Sequence, residues 1–241
     1  MQPPTYAASP ANYLPDLTFW AKMQHADAFV IADDLQYSNH AQFNRCRIKG
    51  IDGPQWLTVP VRTKGVGAQK ISEVRIVNES DWRQRHLRSL HVCYRNAAYF
   101  EKYIDFFEEL YRREWRFLID LNLASIEFCQ NALGLDTPVS RGSELQIAKT
   151  GTARLIAMGE SLQTKRYLCE RLYQPAIDTR QFEQAGLAVR FFEPAPRPYY
   201  QLFGDFEPGL SVLDLLFNEG DAACDFLPTM ANSKTQASNS K

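Results

Sequence analysis

The sequence has no hydrophobic run long enough to span a bilayer, and its first residues carry no signal-peptide pattern. We therefore expect a cytoplasmic protein that does not insert into a membrane. An excess of charge is also missing, because 27 Lys and Arg side chains stand against 28 Asp and Glu side chains, a formal net charge of -1. Proteins that bind nucleic acid present a basic face to the phosphates. No such block occurs, which predicts no nucleic-acid partner.

Cysteine pairs and metal-binding patterns are missing as well. The five cysteines are scattered, odd in number and without a CxxC pair, which predicts reduced thiols. The four histidines do not fall into metal-ligand spacing with them, so no metal site is expected. The residues concerned are Cys46, Cys93, Cys129, Cys169, Cys224, His25, His40, His86 and His91.

The motifs of several common enzyme classes are absent. There is no GxGxxG, no Walker A motif and no GxSxG elbow, so no hydrolase triad is visible. A basic glycine loop at residues 63–69 contains Lys64, Gly65 and Gly67 and follows Arg62. Such a loop can cradle a phosphate, but its spacing matches no P-loop, which favours a flexible surface loop.

The chain is organised around residues 26–48. Residues 28–32 (AFVIA) form a short apolar run without a polar face, which is typical of a strand buried on both sides. Polar side chains follow at once: Asp33, Asp34, Gln36, Tyr37, Asn44 and Arg45. Ligands of open α/β sheets bind outside the carboxyl ends of the strands. The pattern therefore predicts a site for a small-molecule substrate here.

These residues have functional and structural interpretations. Asp33 and Asp34 are candidates to hold a metal, orient a hydroxyl or act as a base; alternatively they form a polar turn with one Asx cap. Adjacent strand residues point to opposite faces, so both carboxylates share a ligand only if the strand has ended. Arg45, with Asn44 and Gln36, is a candidate to grip a phosphate or carboxylate, or else a surface arginine paired with an aspartate.

Two later segments carry further candidates. His86 is a candidate acid or base, because its charge changes near neutral pH, although a lone helix histidine more often serves packing. Tyr200, Gln201 and Asp214 are candidates for a polar rim of the substrate site. The alternative for that segment is a capped helix beside a buried aromatic pair.

Alternating strand and helix patterns predict an α/β fold with a mostly parallel open sheet flanked by helices. The expected portions are an α/β portion with the candidate site at residues 1–80, a helical insert at 81–138, an α/β portion completing the same domain at 139–227, and a disordered tail at 228–241. The local patterns predict no regular helix before Pro15, helices capped by Asp16 and Ser211, a helical break near residues 97–99, a helix end at Gly134, an edge strand at 71–77 and a loop at 140–150.

Several segments together resemble the WbqC-like family. They are Gln2-Pro3, ADAFVIADDLQY, NRCRIKG, QWLTVPV, the DW and HL pairs at residues 81–87, YRNAAYF, the helix at 152–162, and FEPGLSVLDLLFNEG. The resemblance covers nearly the whole chain except the tail. The DDxQY and NRxxI block and the last block are its more specific motifs.

The resemblance implies a bacterial cytoplasmic protein from gene neighbourhoods of O-antigen and other surface polysaccharides. It implies a transferase that moves an acyl or aminoacyl (glycyl) group onto an amino sugar carried on a nucleotide. Asp33 or Asp34 would then orient or deprotonate the acceptor amine, and Arg45 would hold a phosphate or carboxylate. The alternative is a non-catalytic protein that binds a nucleotide or nucleotide sugar. The cofactor is unknown from the sequence. By analogy with the family, the site residues are Gln2, Asp33, Asp34, Gln36, Tyr37, Asn44, Arg45 and Asp214.

The sequence departs from this pattern in places. Its opening is similar to nucleotidylyltransferase-like folds such as pantothenate synthetase, but their HxGH motif is absent, so adenylate chemistry of that kind is not expected. Family members have a short apolar strand before Gln-Pro, whereas Met1 directly precedes Gln2 here. We expect either a start placed too late or a missing first strand. Residues 169–172 replace a glycine-bearing loop, which argues against phosphate contact there.

Overall fold

A computed structural model describes residues 3–231 of the chain. The strands of this part are β1 (Thr5–Pro10), β2 (Ala28–Ala32), β3 (Arg45–Gly50), β4 (Gly53–Thr58), β5 (Val139–Arg141), β6 (Arg166–Glu170), β7 (Ala188–Ala195) and β8 (Thr229–Ala231). The α-helices are α1 (Leu17–Gln24), α2 (Trp82–Tyr94), α3 (Phe100–Arg112), α4 (Leu118–Ala132), α5 (Gly151–Ser161), α6 (Thr179–Gln184) and α7 (Val212–Glu219).

The main sheet has the strand order β5-β2-β1-β6-β7-β8, and β3 and β4 form a separate hairpin. The strands from β5 to β7 run parallel, and β8 lies antiparallel to β7. If the five parallel strands are numbered 1 to 5 in chain order, their order across the sheet is 3-2-1-4-5. This is a doubly wound order. The predicted mostly parallel α/β sheet flanked by helices is confirmed. Its topological switch point lies between β1 and β6. From β1 the chain adds strands towards one edge of the sheet, and from β6 it adds them towards the other edge.

The central strands are buried on both faces. Phe29 and Val30 of β2 point to opposite faces, and both are 0% exposed. Phe29 belongs to the larger core, which includes residues of α1, α2, α3, α4 and α7, whereas Val30 belongs to a smaller core with residues of α5 and α6. This burial between two layers explains why the sequence of β2 has no polar face.

The connection from β2 to β5 holds the β3-β4 hairpin and helices α2, α3 and α4. The predicted helical break near residues 97–99 is confirmed: the amide of Tyr99 donates to the carbonyl of Phe217 (2.9 Å), which fixes the break against α7. Gly134, at φ +65°, ends the last of these helices as predicted. The division of the chain into portions stays a prediction.

The proline-rich start, where the local pattern predicts only the absence of a helix, contains a strand. β1 is a central strand, in which Tyr6 pairs with Ala28 on one side and with Tyr167 on the other. These partners are distant in sequence, and their pairing outweighs the proline-rich local pattern. Pro10 lies at the end of the strand, where its missing N–H costs little. The strand follows Pro3, whereas the resemblance places an apolar strand before it.

Three local predictions are wrong. Residues 71–77 begin with a 3-10 turn at Ile71–Glu73, because the Glu73 carboxylate accepts from the Lys70 amide (2.8 Å) and closes the turn locally. The predicted loop at 140–150 begins inside β5, whose three residues are too few for a readable pattern. Part of the predicted disordered tail forms β8 against β7, and residues 232–241 lie outside the described residues.

Candidate functional site

A cleft of about 660 Å³ opens at the switch point between β1 and β6. Small-molecule sites commonly measure about 300–1,000 Å³. The carboxyl ends of β1, β2 and β6, the start of α5 and the loop at residues 41–43 line this cleft. We call it the switch-point cleft. In doubly wound sheets, this is the position at which ligands bind.

A buried ion pair lies in the wall of the switch-point cleft. Lys22 of α1 is 4% exposed, and its Nζ donates to the carbonyl of Ala8 (2.8 Å), Ser9 Oγ (2.7 Å) and Glu170 Oε1 (3.4 Å). These bonds satisfy all three ammonium protons and join α1 to the ends of β1 and β6. Glu170 also lines the cleft, and its side chain is 16% exposed.

The N-terminus of α1, the helix that follows β1, is capped by the side chain of Asp16. Asp16 Oδ1 accepts from the amides of Thr18 (3.1 Å) and Phe19 (3.3 Å). Burial raises the pKa of Asp16 and Glu170 raises it further, against a lowering by the Phe19 amide. Phosphates often bind at such helix starts. At α1 the Asp16 carboxylate already occupies the position of a phosphate. Helix α5 also begins at the cleft, and Thr150 gives it no side-chain cap.

Aromatic side chains form much of the remaining wall. Phe19, Phe43 and Tyr167 are buried, and Tyr173 is 51% exposed at the rim, in the 3-10 segment Arg171–Ala176. Aromatic faces stack on nucleobases and sugar rings. The cleft thus combines one ion pair with extensive apolar surface.

Asp34 and Arg154 connect β2 to α5 beside the cleft. Arg154 donates two hydrogen bonds to the carboxylate, Nη1 to Oδ2 (2.8 Å) and Nη2 to Oδ1 (2.5 Å). Each side chain is 14% exposed, so water weakens this pair little. Arg154 also lines the cleft.

Asp33 is held more completely than Asp34. Its side chain is 0% exposed and accepts from Arg141 Nε (2.9 Å), Arg141 Nη2 (2.6 Å), the Ser143 amide (2.9 Å) and Ser143 Oγ (2.8 Å). Burial raises the pKa of Asp33, but the bonds from Ser143 and Arg141 outweigh it, and the pKa lies below its usual value. Asp33 therefore fastens the end of β2 to the end of β5.

Gly142 leaves room for the ion pair between Asp34 and Arg154. A Cβ added there would lie 2.6 Å from Asp34 Oδ1, 3.1 Å from Arg154 Nη2 and 3.3 Å from Ala32 Cα. We expect Gly142→Ala to cost about 1–3 kcal/mol of unfolding free energy, because overpacking displaces the ion pair. Urea denaturation measures this. In an Asp34→Ala background the same change should cost clearly less, and equal costs in both backgrounds would contradict the steric explanation.

The other described candidate residues of the predicted loop are not among the residues that line the cleft. The amide of Asn44 belongs to the fold, since its Nδ2 donates to the Val59 carbonyl (2.8 Å). Arg45 donates to the carbonyl of His40 (3.1 Å) and lies 4.6 Å from the Trp56 ring centroid, so it pairs with neither aspartate. Gln36 is exposed, and the half-buried ring of Tyr37 lies 5.8 Å from that of Phe43, a cleft residue. Gln2 lies outside the described residues.

His86 lies away from the cleft, between aromatic side chains. Its Nε2 is 3.2 Å from the Thr58 carbonyl, to which it donates, so Nδ1 accepts from the hydroxyl of Tyr13 (3.1 Å). Burial lowers the pKa of His86 to about 4, against a raising contribution from the Thr58 carbonyl. The imidazole is therefore neutral at physiological pH, with both nitrogens engaged by protein groups.

Asp214 belongs to a separate buried network. Its carboxylate accepts from the hydroxyls of Tyr94 (2.9 Å) and Tyr199 (2.8 Å). Burial raises the pKa of Asp214 to about 6, against lowering by these hydroxyls and by Lys49. Lys49 Nζ donates to Gln201 Oε1 (3.2 Å), so Gln201 shares the network. The neighbouring Tyr200 is 67% exposed and faces away from it.

The predicted site residues thus fall into three groups: the cleft region, the His86 cluster and the Asp214 network. The sequence patterns missed the cleft residues Lys22, Arg154 and Glu170. A lysine in the last turn of the largely apolar helix α1 is the available signal for one of them. Within residues 3–231, no three His, Cys, Asp or Glu side chains come together to hold a metal ion. No helix of this part is long and apolar enough to cross a membrane.

Comparison with known proteins gives one family. The model of the WbqC-like protein family matches residues 11–226. The chain is also 34% identical over 219 residues to "Uncharacterized protein Rv1507c" of Mycobacterium tuberculosis, a match that covers 90% of this chain and 94% of that protein. No solved structure matches the chain. With a family match over nearly its whole length, the chain belongs to the WbqC-like family.

Proposed function

We propose that the protein is a transferase of surface-polysaccharide biosynthesis, which moves an acyl or aminoacyl group onto the amino group of a nucleotide-linked amino sugar. The family resemblance supports the reaction class. The switch-point cleft is the proposed binding site, because its position and volume suit such a ligand. The observation that carries this assignment is the Lys22–Glu170 pair in the wall of the cleft.

Glu170 is the proposed base for the acceptor amine. Lys22 holds one carboxylate oxygen, and the Glu170 side chain lines the cleft. In the proposed step, the amine nitrogen forms a bond to the acyl carbon, and the bond from that carbon to the leaving group of the donor breaks. Glu170 takes the proton that the nitrogen releases.

The start of α5 is the proposed contact for the phosphates. Its first amides have no side-chain cap, and Arg154 adds a positive charge at the same edge of the cleft. Tyr173 at the rim is suited to stack on the base or a sugar ring. The doubly wound strand order is compatible with a nucleotidylyltransferase-like ancestry, which stays a proposal.

The roles predicted for Asp33, Asp34 and His86 also stay predictions. Each side chain is engaged by protein groups and none of the three lines the cleft, which favours Glu170 as the base. The same observation favours a second candidate function, in which the protein binds a nucleotide sugar without transforming it. Binding and turnover must therefore be measured separately.

The test uses the full chain with nucleotide-linked amino sugars and acyl or aminoacyl donors. A ligand at 100 times its Kd should raise the unfolding free energy by about 2.7 kcal/mol, and mass spectrometry should detect the acylated sugar. Glu170→Gln should keep the binding shift but lose at least about 100-fold in turnover. The matched control is Glu160→Gln, an exposed carboxylate of α5.

Each outcome decides between the candidates. A stability shift without product would support the binding protein and would rule out the transferase. Full turnover in Glu170→Gln would remove Glu170 as the base. No shift with any nucleotide sugar would remove the cleft as a nucleotide-sugar site.

A further inference from the structure

A second cavity, of about 350 Å³, lies outside the switch-point cleft. Three short segments line it side by side. The amide of Arg62 donates to the carbonyl of Arg75 (2.9 Å), and the amide of Ile76 donates to the carbonyl of Arg116 (3.1 Å). Isolated bridges between these segments fix the same arrangement. The backbone pairing thus brings three arginines, distant in sequence, to one cavity. We call it the arginine cavity.

The charges of the arginine cavity do not balance. Arg62 pairs with Glu79 (2.7 Å), and Arg83 pairs with the second acid of the cavity, Glu114 (3.7 Å). Arg75 and Arg116, in contrast, have no carboxylate within salt-bridge distance in residues 3–231. The lining holds three arginines and two glutamates, an excess of one positive charge. The excess is two when Arg83, which lies outside the lining and pairs with Glu114, is counted, and a phosphate group carries the opposite charge.

The two unpaired arginines are also oriented. The guanidinium carbon of Arg75 lies 5.8 Å from the Phe117 ring centroid, and that of Arg116 lies 5.0 Å from it. Contact with an aromatic face restrains the guanidinium while leaving its N–H groups free for an anion. Because guanidinium groups bind phosphate through paired hydrogen bonds, two of them at one ring form a suitable receptor.

The basic glycine loop of residues 63–69 belongs to the same place. It leaves from Arg62, and Gln69 Nε2 donates back to the Arg62 carbonyl (2.9 Å), so both ends of the loop are anchored at the cavity. Gly65 (φ +77°) and Gly67 (φ +70°) adopt the left-handed backbone that glycine favours. The loop therefore lies beside the cavity, although none of residues 63–69 lines it.

We propose that the arginine cavity binds a phosphate or diphosphate group through Arg75 and Arg116, independently of the switch-point cleft. The group belongs either to a soluble phosphorylated compound or to a lipid headgroup, and the chemistry of recognition is the same for both. Binding should weaken as salt is raised, because the contacts are ionic and partly exposed.

The test is calorimetric titration of the full chain with inorganic pyrophosphate at low salt. The double variant Arg75→Gln/Arg116→Gln should lose at least about tenfold in affinity, because two charge-assisted contacts are removed. Arg180→Gln, an exposed arginine of α6, is the matched control and should bind as the wild type does. All substitutions are at exposed positions, and a thermal melt checks that each variant folds.

Further measurements separate the sources of the phosphate and the two sites. Stronger binding to phosphatidic acid vesicles than to phosphatidylcholine vesicles, lost in the double variant, would indicate a lipid headgroup; binding to pyrophosphate alone would indicate a soluble compound. The double variant should keep the stability shift that nucleotide sugars produce at the switch-point cleft. Equal affinities of the wild type and the double variant would overturn the proposal, as would the absence of binding to either probe.

Discussion

Asp33→Ala should lower the unfolding free energy by about 3 kcal/mol, because it removes one partner of a buried ion pair. The carboxylate is 0% exposed and accepts four hydrogen bonds from two residues. Arg141, at 35% exposure, is partly solvated after the change, which keeps the loss at the lower end of the range for such pairs. Urea denaturation at neutral pH measures the effect.

Two comparisons make this prediction specific. Asp105→Ala, at an exposed position of α3, should change the unfolding free energy by no more than about 0.5 kcal/mol. The double variant Asp33→Ala/Arg141→Ala should be clearly more stable than the sum of the single losses implies, because the partners are in contact. If Asp33→Ala lowers the unfolding free energy by less than about 1 kcal/mol, the ion pair does not stabilise the contact between β2 and β5.

The lowered pKa of Asp33 also fixes the sign of its pH dependence. The folded state holds the proton less tightly than the unfolded state. Its contribution to stability is therefore present above the unfolded pKa and is lost as the pH falls through the folded pKa.

Asp214 should show the opposite dependence, and Asp214→Asn should remove it. Burial raises the pKa of Asp214 from 3.8 to about 6, so the folded state binds the proton more tightly than the unfolded state. Stability from this group is fully present below the unfolded pKa and decreases as the pH rises through the folded pKa. Between pH 3.8 and 6, the decrease is on the order of 3 kcal/mol, at about 1.36 kcal/mol per pKa unit.

The measurement compares the unfolding free energies of the wild type and Asp214→Asn between pH 4 and pH 7. The unfolding free energy of the wild type minus that of the variant should decrease as the pH rises, because the asparagine does not ionise. Asp105→Asn is the control at an exposed position. Parallel pH curves for the wild type and Asp214→Asn would contradict the assignment, and an increase of the difference would show the wrong sign.

The sequence by itself determined features that depend on neighbouring residues. The apolar run of β2 indicates burial on both faces, since a strand covered by two helical layers cannot have a polar side. Asp16 and Ser211 cap α1 and α7 as their local patterns predict, because a cap bonds only to amides of the next turn. The position of the acidic pair directly after β2 also followed from the strand pattern.

Only the tertiary structure decided which partners these residues have. Asp33 meets Arg141 across 108 residues of sequence, and Lys22 meets Glu170 across 148. β1 is central because it pairs with strands on both sides, not because its own sequence favours a strand. Contacts of this kind have no local period or motif, since they arise when the doubly wound sheet brings the ends of its strands together. The wall of the switch-point cleft is a product of that assembly, whereas the arginine cavity forms where three short segments outside the main sheet pair with one another.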